Sequence, residues 1–178
     1  SLVNPGRSIP QNIQSLVGIS DEMVADAPAF AELADGVRAL FADCIFVAHN
    51  ARFDYGFIKN EFSRIGEAFD APVLCTVKLS RALFPQHHRH GLDALIERHG
   101  LVCTARHRAL GDTEALYQFA GLIAGQFGRD VLDPAIVKAM RAPSRPAGLP
   151  EGVPEGVPEG PGVYLFDGEN ALPIYSGK

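Results

Sequence analysis

The chain has 178 residues, of which 47% are hydrophobic, so it can form one globular domain and an appendage. Its formal net charge of -5 argues against a general nucleic-acid coat protein, although an enzyme with a local basic groove is compatible with that charge. No apolar run approaches the ~20 residues of a membrane span, so no membrane partner is expected. Three cysteines without a C-x-x-C pair favour reduced thiols in the cytoplasm, and Cys44 and Cys75 are expected to be buried.

The first forty residues lead from a turn into one strongly patterned helix. Residues 2–4 are expected to end a strand, and a turn follows at Asn4-Pro5-Gly6. A short helix is expected near residues 11–16. Helical spacing after Pro28 then predicts a longer helix. Its apolar positions are Phe30, Leu33, Ala34, Val37, Leu40 and Phe41.

A buried strand followed by a helix is predicted next. Residues 44–48 form a short apolar run that stops at His49-Asn50, which is typical of a strand. A helix is predicted over residues 51–65, with an inward stripe of Phe57, Ile58, Phe62 and Ile65. Asp54 falls on the same stripe one turn earlier. A carboxylate is therefore expected on the buried side of this helix, near its start.

Strands and helices alternate again from residue 72. Residues 72–76 predict a buried strand, residues 77–84 and 91–99 two short helices, and residues 130–140 a last helix. This alternation predicts an α/β domain. The histidines within residues 86–90 fit no zinc-ligand spacing and favour an exposed basic loop. Candidates for a basic groove, each of which alone fits ordinary surface, are Arg81, Arg89, Arg98, Arg106 and Arg108.

A second carboxylate is expected at the start of the helix predicted over residues 109–127. Its inward stripe is Leu116, Phe119, Ala120, Ile123 and Phe127. Asp112 lies on that stripe, and His107 precedes it by five residues. A helix dipole offsets only ~0.3–1 kcal/mol of the cost of burying a carboxylate, so a metal ion is one explanation and a capping Asp with a loop His is the other. Together with Asp54, these residues outline a site for Mg²⁺ or Mn²⁺.

The same residues resemble a known family. Residues 49–54 read His49-Asn50-Ala51-Arg52-Phe53-Asp54, which resembles the second motif of the DEDDh exonucleases, and His107 with Asp112 resembles the third. That family includes the proofreading epsilon subunit of bacterial DNA polymerase III. The resemblance extends over residues 2–127, including residues 2–6, 18–24 and 75–81, and it implies a ribonuclease-H-like fold.

The resemblance also implies roles for individual residues. Asp54 and Asp112 would hold two divalent ions, Mg²⁺ or Mn²⁺, and His107 would take the proton from the attacking water, so these three are the expected catalytic residues. The expected substrate-binding residues are His49, Asn50, Phe53 and Arg108. Phe53 or Tyr55 are candidates to stack on a base, although core packing is the stronger expectation for Phe53.

The family's first motif, an Asp-x-Glu on the first strand, has no counterpart in the sequence and is expected upstream of Leu2. The domain is therefore expected to be truncated at its N-terminus and inactive alone. The intact domain is expected to degrade single-stranded or frayed 3′ ends of DNA, or RNA, in replication proofreading or repair, alongside replication or repair proteins. The alternative is a non-catalytic DNA-binding or spacer module.

The composition changes after residue 142. Residues 143–161 contain three Pro-Glu-Gly repeats and predict an extended linker. In residues 162–178, Gly-x-Tyr and Tyr-x-Gly signals flank a turn at Asp167-Gly168 and resemble the opening of a GIY-YIG nuclease domain, as in the excinuclease C subunit. The residues of that resemblance are Tyr164, Tyr175 and Lys178. A plain hairpin is the alternative. The expected organisation is an exonuclease domain (1–142), a linker (143–161) and the start of a GIY-YIG-like domain (162–178).

Overall fold

The computed structural model describes residues 2–140 together with two strands near the C-terminus, residues 164–167 and 173–177. In the first part, the helices are α1 (Gln11–Val17), α2 (Asp21–Val24), α3 (Phe30–Phe41), α4 (Arg52–Arg64), α5 (Thr76–Leu83), α6 (Leu92–His99), α7 (Ala109–Gln126) and α8 (Arg129–Met140). The strands are β1 (Phe46–Ala48) and β2 (Val73–Cys75). Across residues 2–140, no helix is both long and apolar enough to cross a lipid bilayer.

The last two strands belong to a second compact unit of the chain. They are β3 (Tyr164–Asp167) and β4 (Pro173–Gly177), and they pair antiparallel. The predicted pair of strands is thus present. Their side chains, the predicted linker, Lys178 and the residues between the two strands lie outside the described residues. The predicted domain boundaries consequently stay predictions.

The sheet of the first unit consists of two parallel strands, which end at the same edge. β1 pairs with β2 in parallel, with Phe46 opposite Val73 and Ala48 opposite Cys75. A parallel pair needs a crossover connection, which α4 supplies. Because parallel strands end at the same edge, the residue after β1, His49, meets the residue after β2, Thr76.

β1 is shorter than the predicted strand at residues 44–48, and the reason lies in the preceding turn. The Cys44 N–H donates to the carbonyl of Phe41 over 3.1 Å, and Asp43 adopts φ +56°. Cys44 therefore closes the end of α3 and is exposed, so its predicted burial was wrong. Cys75, in β2, is only half-buried.

The inward face of α4 agrees with the predicted stripe at Ile58, Phe62 and Ile65 and differs from it at Phe57. Ala51 and Phe62 are buried, and Tyr55 and Ile58 pack against the same two core clusters. Phe53 and Phe57 are instead 62% and 57% exposed, with ring centroids 4.8 Å apart. Asp54 shares their exposed side, so its predicted burial was wrong, as was the core position expected for Phe53.

One core cluster joins α3, α4 and the segment before β2. Phe62 has no exposed surface and stacks on Phe69, with centroids 4.9 Å apart and planes 8° apart. Phe30 meets the Phe62 ring edge-on at 5.1 Å, and the Arg38 guanidinium carbon lies 4.9 Å from its centroid. Aromatic pairs in these geometries contribute beyond the area they bury, so this cluster anchors α4.

A second cluster joins α5 to α8 and supports α7. Leu95 of α6 and Phe119 of α7 are almost completely buried in it, and Ile123 of α7 lies beside them. The predicted inward face of α7 is confirmed for Phe119 and Ile123, and Leu116 and Phe127 pack partly against the cluster. Ala120 is exposed. α7 begins at Ala109 as predicted, which places Asp112 in its first turn.

The histidine loop is tied to the core at one point. His90 is 7% exposed; its Nε2–H donates to the carbonyl of His87 over 2.9 Å, so its Nδ1 accepts from the Ser80 hydroxyl over 2.8 Å. His88 and Arg89 are exposed. The prediction of an exposed loop was therefore wrong for His90, because a pair of hydrogen bonds satisfies its ring inside the protein.

His99 predicts a loss of stability in acid. Its ring lies 4.9 Å from Phe84 and 5.5 Å from Phe119, and its buried Nε2 has no hydrogen-bond partner among the described residues. Burial lowers the pKa of the His99 imidazole, and the charge of Arg98 lowers it further. The unfolded chain therefore binds this proton at a higher pH than the folded chain, and stability falls as the pH drops below ~6.5.

The measurement is the midpoint of thermal unfolding between about pH 7.5 and about pH 5.5. We expect the midpoint to fall less over this pH range in His99→Gln than in the wild-type chain. His88→Gln, which removes an exposed histidine, should leave the decline unchanged. Equal slopes for wild type and His99→Gln would rule out His99 as a source of the pH dependence.

Candidate active site

The site begins at the edge where β1 and β2 end. The Thr76 hydroxyl donates to the Ala48 carbonyl over 3.1 Å, so its oxygen accepts from His49 Nδ1–H over 2.9 Å. This arrangement fixes the tautomer of a neutral His49, whose buried Nε2 has no hydrogen-bond partner in the part of the chain that the structure describes. Burial lowers the pKa of the His49 imidazole, which favours the same neutral form.

Asp54 lies in the first turn of α4, beside that edge. Although much of the residue is exposed, the protein around its carboxyl displaces solvent and raises its pKa. A smaller contribution in the same direction comes from the charge of Asp112. The two predicted metal-binding carboxylates are therefore close enough to repel one another, although they are 58 positions apart in the sequence.

Asp112 is held by the way the chain enters α7. The Asp112 N–H donates to the Arg108 carbonyl over 3.0 Å, and the Arg108 N–H donates to the Ala105 carbonyl over 3.3 Å. Gly111 packs so tightly on this loop that a Cβ there would lie 2.3 Å from the Ala105 carbonyl oxygen. The loop thus folds back over the first turn of α7, and the absence of a side chain at Gly111 permits it.

Arg106, in this loop, joins the two helices that flank the site. Its Nε donates to Asp93 Oδ1 over 2.6 Å, and its Nη1 donates to Asp112 Oδ1. Asp93 lies in the first turn of α6 and Asp112 in the first turn of α7. The bond to Asp93, with a further contribution from Asp112, raises the pKa of the Arg106 guanidinium, which stays charged.

Two predicted site residues have unusual backbone conformations. Asn50 has φ +67° and His107 has φ +63°, both in the left-handed region that side chains other than glycine rarely adopt. Both residues are exposed. The hydrogen bond from Arg106 lowers the pKa of Asp93, and His107 contributes in the same direction, which places His107 near the Arg106 contacts. Strained backbone of this kind is found disproportionately at functional sites.

The predicted substrate-binding residues occupy different surroundings. Asn50 and Phe53 line an open groove of about 380 Å³ beside the site, whose other lining residues are Arg52, Gly56, Phe57 and Asn60. Arg108 is the half-buried N-cap residue of α7. Tyr55, the other candidate for base stacking, packs in the core and donates to Asp70 Oδ1 over 2.9 Å. The exposed ring of Phe53 is thus the one available to a base.

The residues present do not by themselves fit a metal ion. Mg²⁺ and Mn²⁺ require several oxygen ligands around one point. Among the described residues, no three His, Cys, Asp or Glu side chains converge in that way. Asp54 and Asp112 form a pair, and one oxygen of Asp112 already accepts from Arg106.

Three residues that contribute to the site were not assigned to it by sequence reasoning. They are Thr76, which orients His49, and Arg106 and Asp93, which engage Asp112 and its loop. Arg106 was only one of five arginines considered for a groove. Its position directly before His107, within an Arg-His-Arg run, is a weak signal, and nothing local in the sequence indicates its partners.

Most of this chain is similar in sequence to known proteins. A family model described as an exonuclease, of the RNase T type, matches residues 1–120. A DNA polymerase III subunit epsilon-like protein of Rhodobacter capsulatus is 46% identical over 117 residues, which are 65% of this chain and 17% of that protein. A PolC-type DNA polymerase III of Staphylococcus saprophyticus is 38% identical over 122 residues, which are 67% of this chain and 8% of that protein.

The fold has a counterpart among solved structures. A structure of Exonuclease X in complex with 5′ overhanging duplex DNA superposes with a TM-score of 0.53 at 28% sequence identity. The match covers 76% of this chain and 79% of the Exonuclease X chain. The α/β, ribonuclease-H-like architecture predicted from the sequence is confirmed by this similarity.

Proposed function

Because this chain belongs to the exonuclease family of the RNase T type, we propose that it serves in the removal of nucleotides from the 3′ ends of single-stranded or frayed DNA. The observation that carries the proposal is that Asp54 and Asp112 lie in the first turns of α4 and α7 and interact electrostatically. Both relatives described above are polymerase III proteins, which supports DNA as the substrate. The complex of Exonuclease X with DNA supports the same choice.

We propose that Asp54 and Asp112 share Mg²⁺ or Mn²⁺ with carboxylates outside the described residues. The two described carboxylates are too few for two ions, which supports further ligands. Among the described residues, β1 pairs with one strand, β2. Val47, the middle residue of β1, is 48% exposed. A further strand paired with β1, on the side opposite β2, would reduce the exposure of Val47 and could bring carboxylates to the site.

Degradation of matched DNA and RNA strands tests the proposal. The strands carry one label at the 5′ end or at the 3′ end, and Mn²⁺ or Mg²⁺ is added or chelated. In an exonuclease domain that also carries the Asp-x-Glu motif, we expect a ladder of shortening 5′-labelled DNA products, immediate release of mononucleotide from 3′-labelled DNA, and no reaction with the chelator. The present chain alone is expected to be inactive in this assay. Faster loss of RNA would identify an RNA-directed exonuclease, and internal cuts would contradict the exonuclease proposal.

His107 is proposed to accept the proton of the attacking water. We expect His107→Gln to lower the rate by ~10²–10⁴-fold, because the side chain can no longer take up a proton. Mn²⁺ affinity should be unchanged, since the imidazole is assigned no role in ligation. His88→Gln, an exposed histidine of a neighbouring loop, is the matched control and should retain full activity. Much weaker Mn²⁺ binding in His107→Gln would make His107 a ligand.

A non-catalytic DNA-binding or spacer module is the second candidate function. The observation that favours it is the engagement of Asp112 by Arg106 together with the absence of a three-ligand group among the described residues. This candidate requires DNA binding without metal-dependent degradation in the assay above. Under either function, we propose a cytoplasmic protein of DNA replication or repair whose second unit starts a GIY-YIG-like nuclease domain after the Pro-Glu-Gly segment.

A further inference from the structure

The open groove beside the site, called the α4 groove below, runs along one face of its helix. Its helical lining includes Phe53, Gly56, Phe57 and Asn60, which recur every three or four residues and therefore lie in one row. At ~1.5 Å per residue the row is about 10 Å long. It leads away from the first turn of α4, so a DNA strand that reaches the first turn can continue along it.

Two aromatic rings give this row its character. Phe53 and Phe57 are both exposed, with ring centroids 4.8 Å apart and planes inclined at 60°. Because the planes are inclined, the rings do not stack on one another, and more than half of each residue stays in contact with solvent. Exposed aromatic rings are the surfaces on which the bases of single-stranded nucleic acids stack.

Gly56 keeps the space beside the rings open. A Cβ built at Gly56 would meet no atom within 4 Å, so packing within the protein does not require glycine at this position. Glycine is also among the least favourable residues in the interior of a helix. An open groove is a feature that a larger side chain at this position would remove.

A second groove of similar size, on α7, differs in charge. It has a volume of about 360 Å³ and contains the exposed ring of Tyr117. Its lining includes Glu114 and no Lys or Arg, and the Gln118 amide is already bonded to the N–H and the carbonyl of Val102. The α4 groove contains Arg52 and no carboxylate. Only the α4 groove of these two is complementary in charge to a phosphate backbone.

We propose that the α4 groove binds an unpaired nucleobase of single-stranded DNA, with the base stacked on Phe57 and a backbone phosphate near Arg52. This base belongs to the nucleotide that follows the one at Phe53 along the strand. The inference rests on the proposed function only in the choice of DNA. Binding of this kind tolerates any base sequence, because every base has a π-face.

Anisotropy of a fluorescent single-stranded oligonucleotide measures binding to the purified chain, with a chelator present so that no strand is degraded. Phe57→Ala should bind roughly 5- to 100-fold more weakly, the range expected on losing one base–aromatic stack. Tyr117→Ala, which removes an exposed ring from the α7 groove, is the matched control and should bind like wild type.

Gly56→Leu separates binding from folding. It fills the α4 groove, keeps both rings and Arg52, and replaces glycine with a better helix former. We expect weaker DNA binding together with undiminished thermal stability. This variant tests the groove even if Phe57→Ala folds poorly.

Oligonucleotides with one abasic residue at successive positions from the 3′ end identify the base that is bound. At one position, removing the base should weaken wild-type binding as much as Phe57→Ala does. The two changes together should then cost no more than either alone, because both remove the same contact.

The proposal is overturned if Phe57→Ala or Gly56→Leu binds like wild type, if Tyr117→Ala is weakened equally, if no abasic position couples to Phe57, or if the wild-type chain binds no DNA. A dimer that Phe57→Ala abolishes without an effect on DNA binding would assign the rings to a second copy of the chain instead. The binding test and the degradation test fail separately. Coupling to one base without degradation would remove only the exonuclease, and degradation with unchanged affinity in Phe57→Ala would remove only this subsite.

Discussion

In an exonuclease domain that also carries the Asp-x-Glu motif, Asp112→Asn is expected to reduce metal-dependent shortening of single-stranded DNA by roughly a hundredfold or more. A metal ion contributes several kcal/mol to transition-state stabilisation, and each ~1.4 kcal/mol corresponds to tenfold in rate. The amide is nearly the same size as the carboxylate but is a much weaker ligand. Arg106 keeps its bond to Asp93 in this variant, so the entry to α7 should remain folded.

The measurement is the initial rate of release of a 3′-terminal nucleotide, with thermal unfolding recorded on the same samples. Glu114→Gln is the matched control. It removes one negative charge from an exposed position of the same helix, and it should retain nearly the wild-type rate. A wild-type rate in Asp112→Asn would eliminate Asp112 as a metal ligand, whereas loss of rate in both variants would indicate a general charge effect.

Phe62→Ala is expected to destabilise the first unit by ~3–5 kcal/mol, the usual cost of truncating a buried phenylalanine. The ring has no exposed surface, and it contacts Phe69, Phe30 and the Arg38 guanidinium. Removing it leaves a cavity that these neighbours cannot fill without moving α3 and α4. Since whole domains are stable by only ~5–15 kcal/mol, the variant should lose a large part of its stability.

Urea unfolding followed by circular dichroism measures this effect through the midpoint and the slope of the transition. Phe57→Ala is the matched control, because it makes the same substitution on the same helix at a ring that is 57% exposed. We expect that variant to unfold within about 1 kcal/mol of wild type. Similar losses for both substitutions would mean that the exposed face of α4 is also packed in the folded protein.

Phe62 is buried and Phe57 is exposed although both lie on α4, so helical spacing alone does not determine which side chains are buried. Helical spacing predicted α4 within one or two residues, but Phe57 and Ile58 are adjacent and both fit an apolar stripe. Which of these two side chains turns inward is decided by the aromatic rings that pack on the helix. Phe46 and Phe69 pack on Tyr55, so α4 is oriented around Tyr55, Ile58 and Phe62, and Asp54 is carried to the exposed side.

The order of strands and helices from α3 onward, the placement of Asp54 and Asp112 in first turns, and the exonuclease family could be predicted from the sequence, because periodicity and short motifs are local properties. Which faces are buried and which side chains meet depends on how the elements pack against one another. His49 binds Thr76, and Arg106 binds Asp93 and Asp112, across separations that the sequence does not encode locally. Those contacts depend on two strands ending at one edge and on a loop folding over Gly111, which packing of the whole domain imposes.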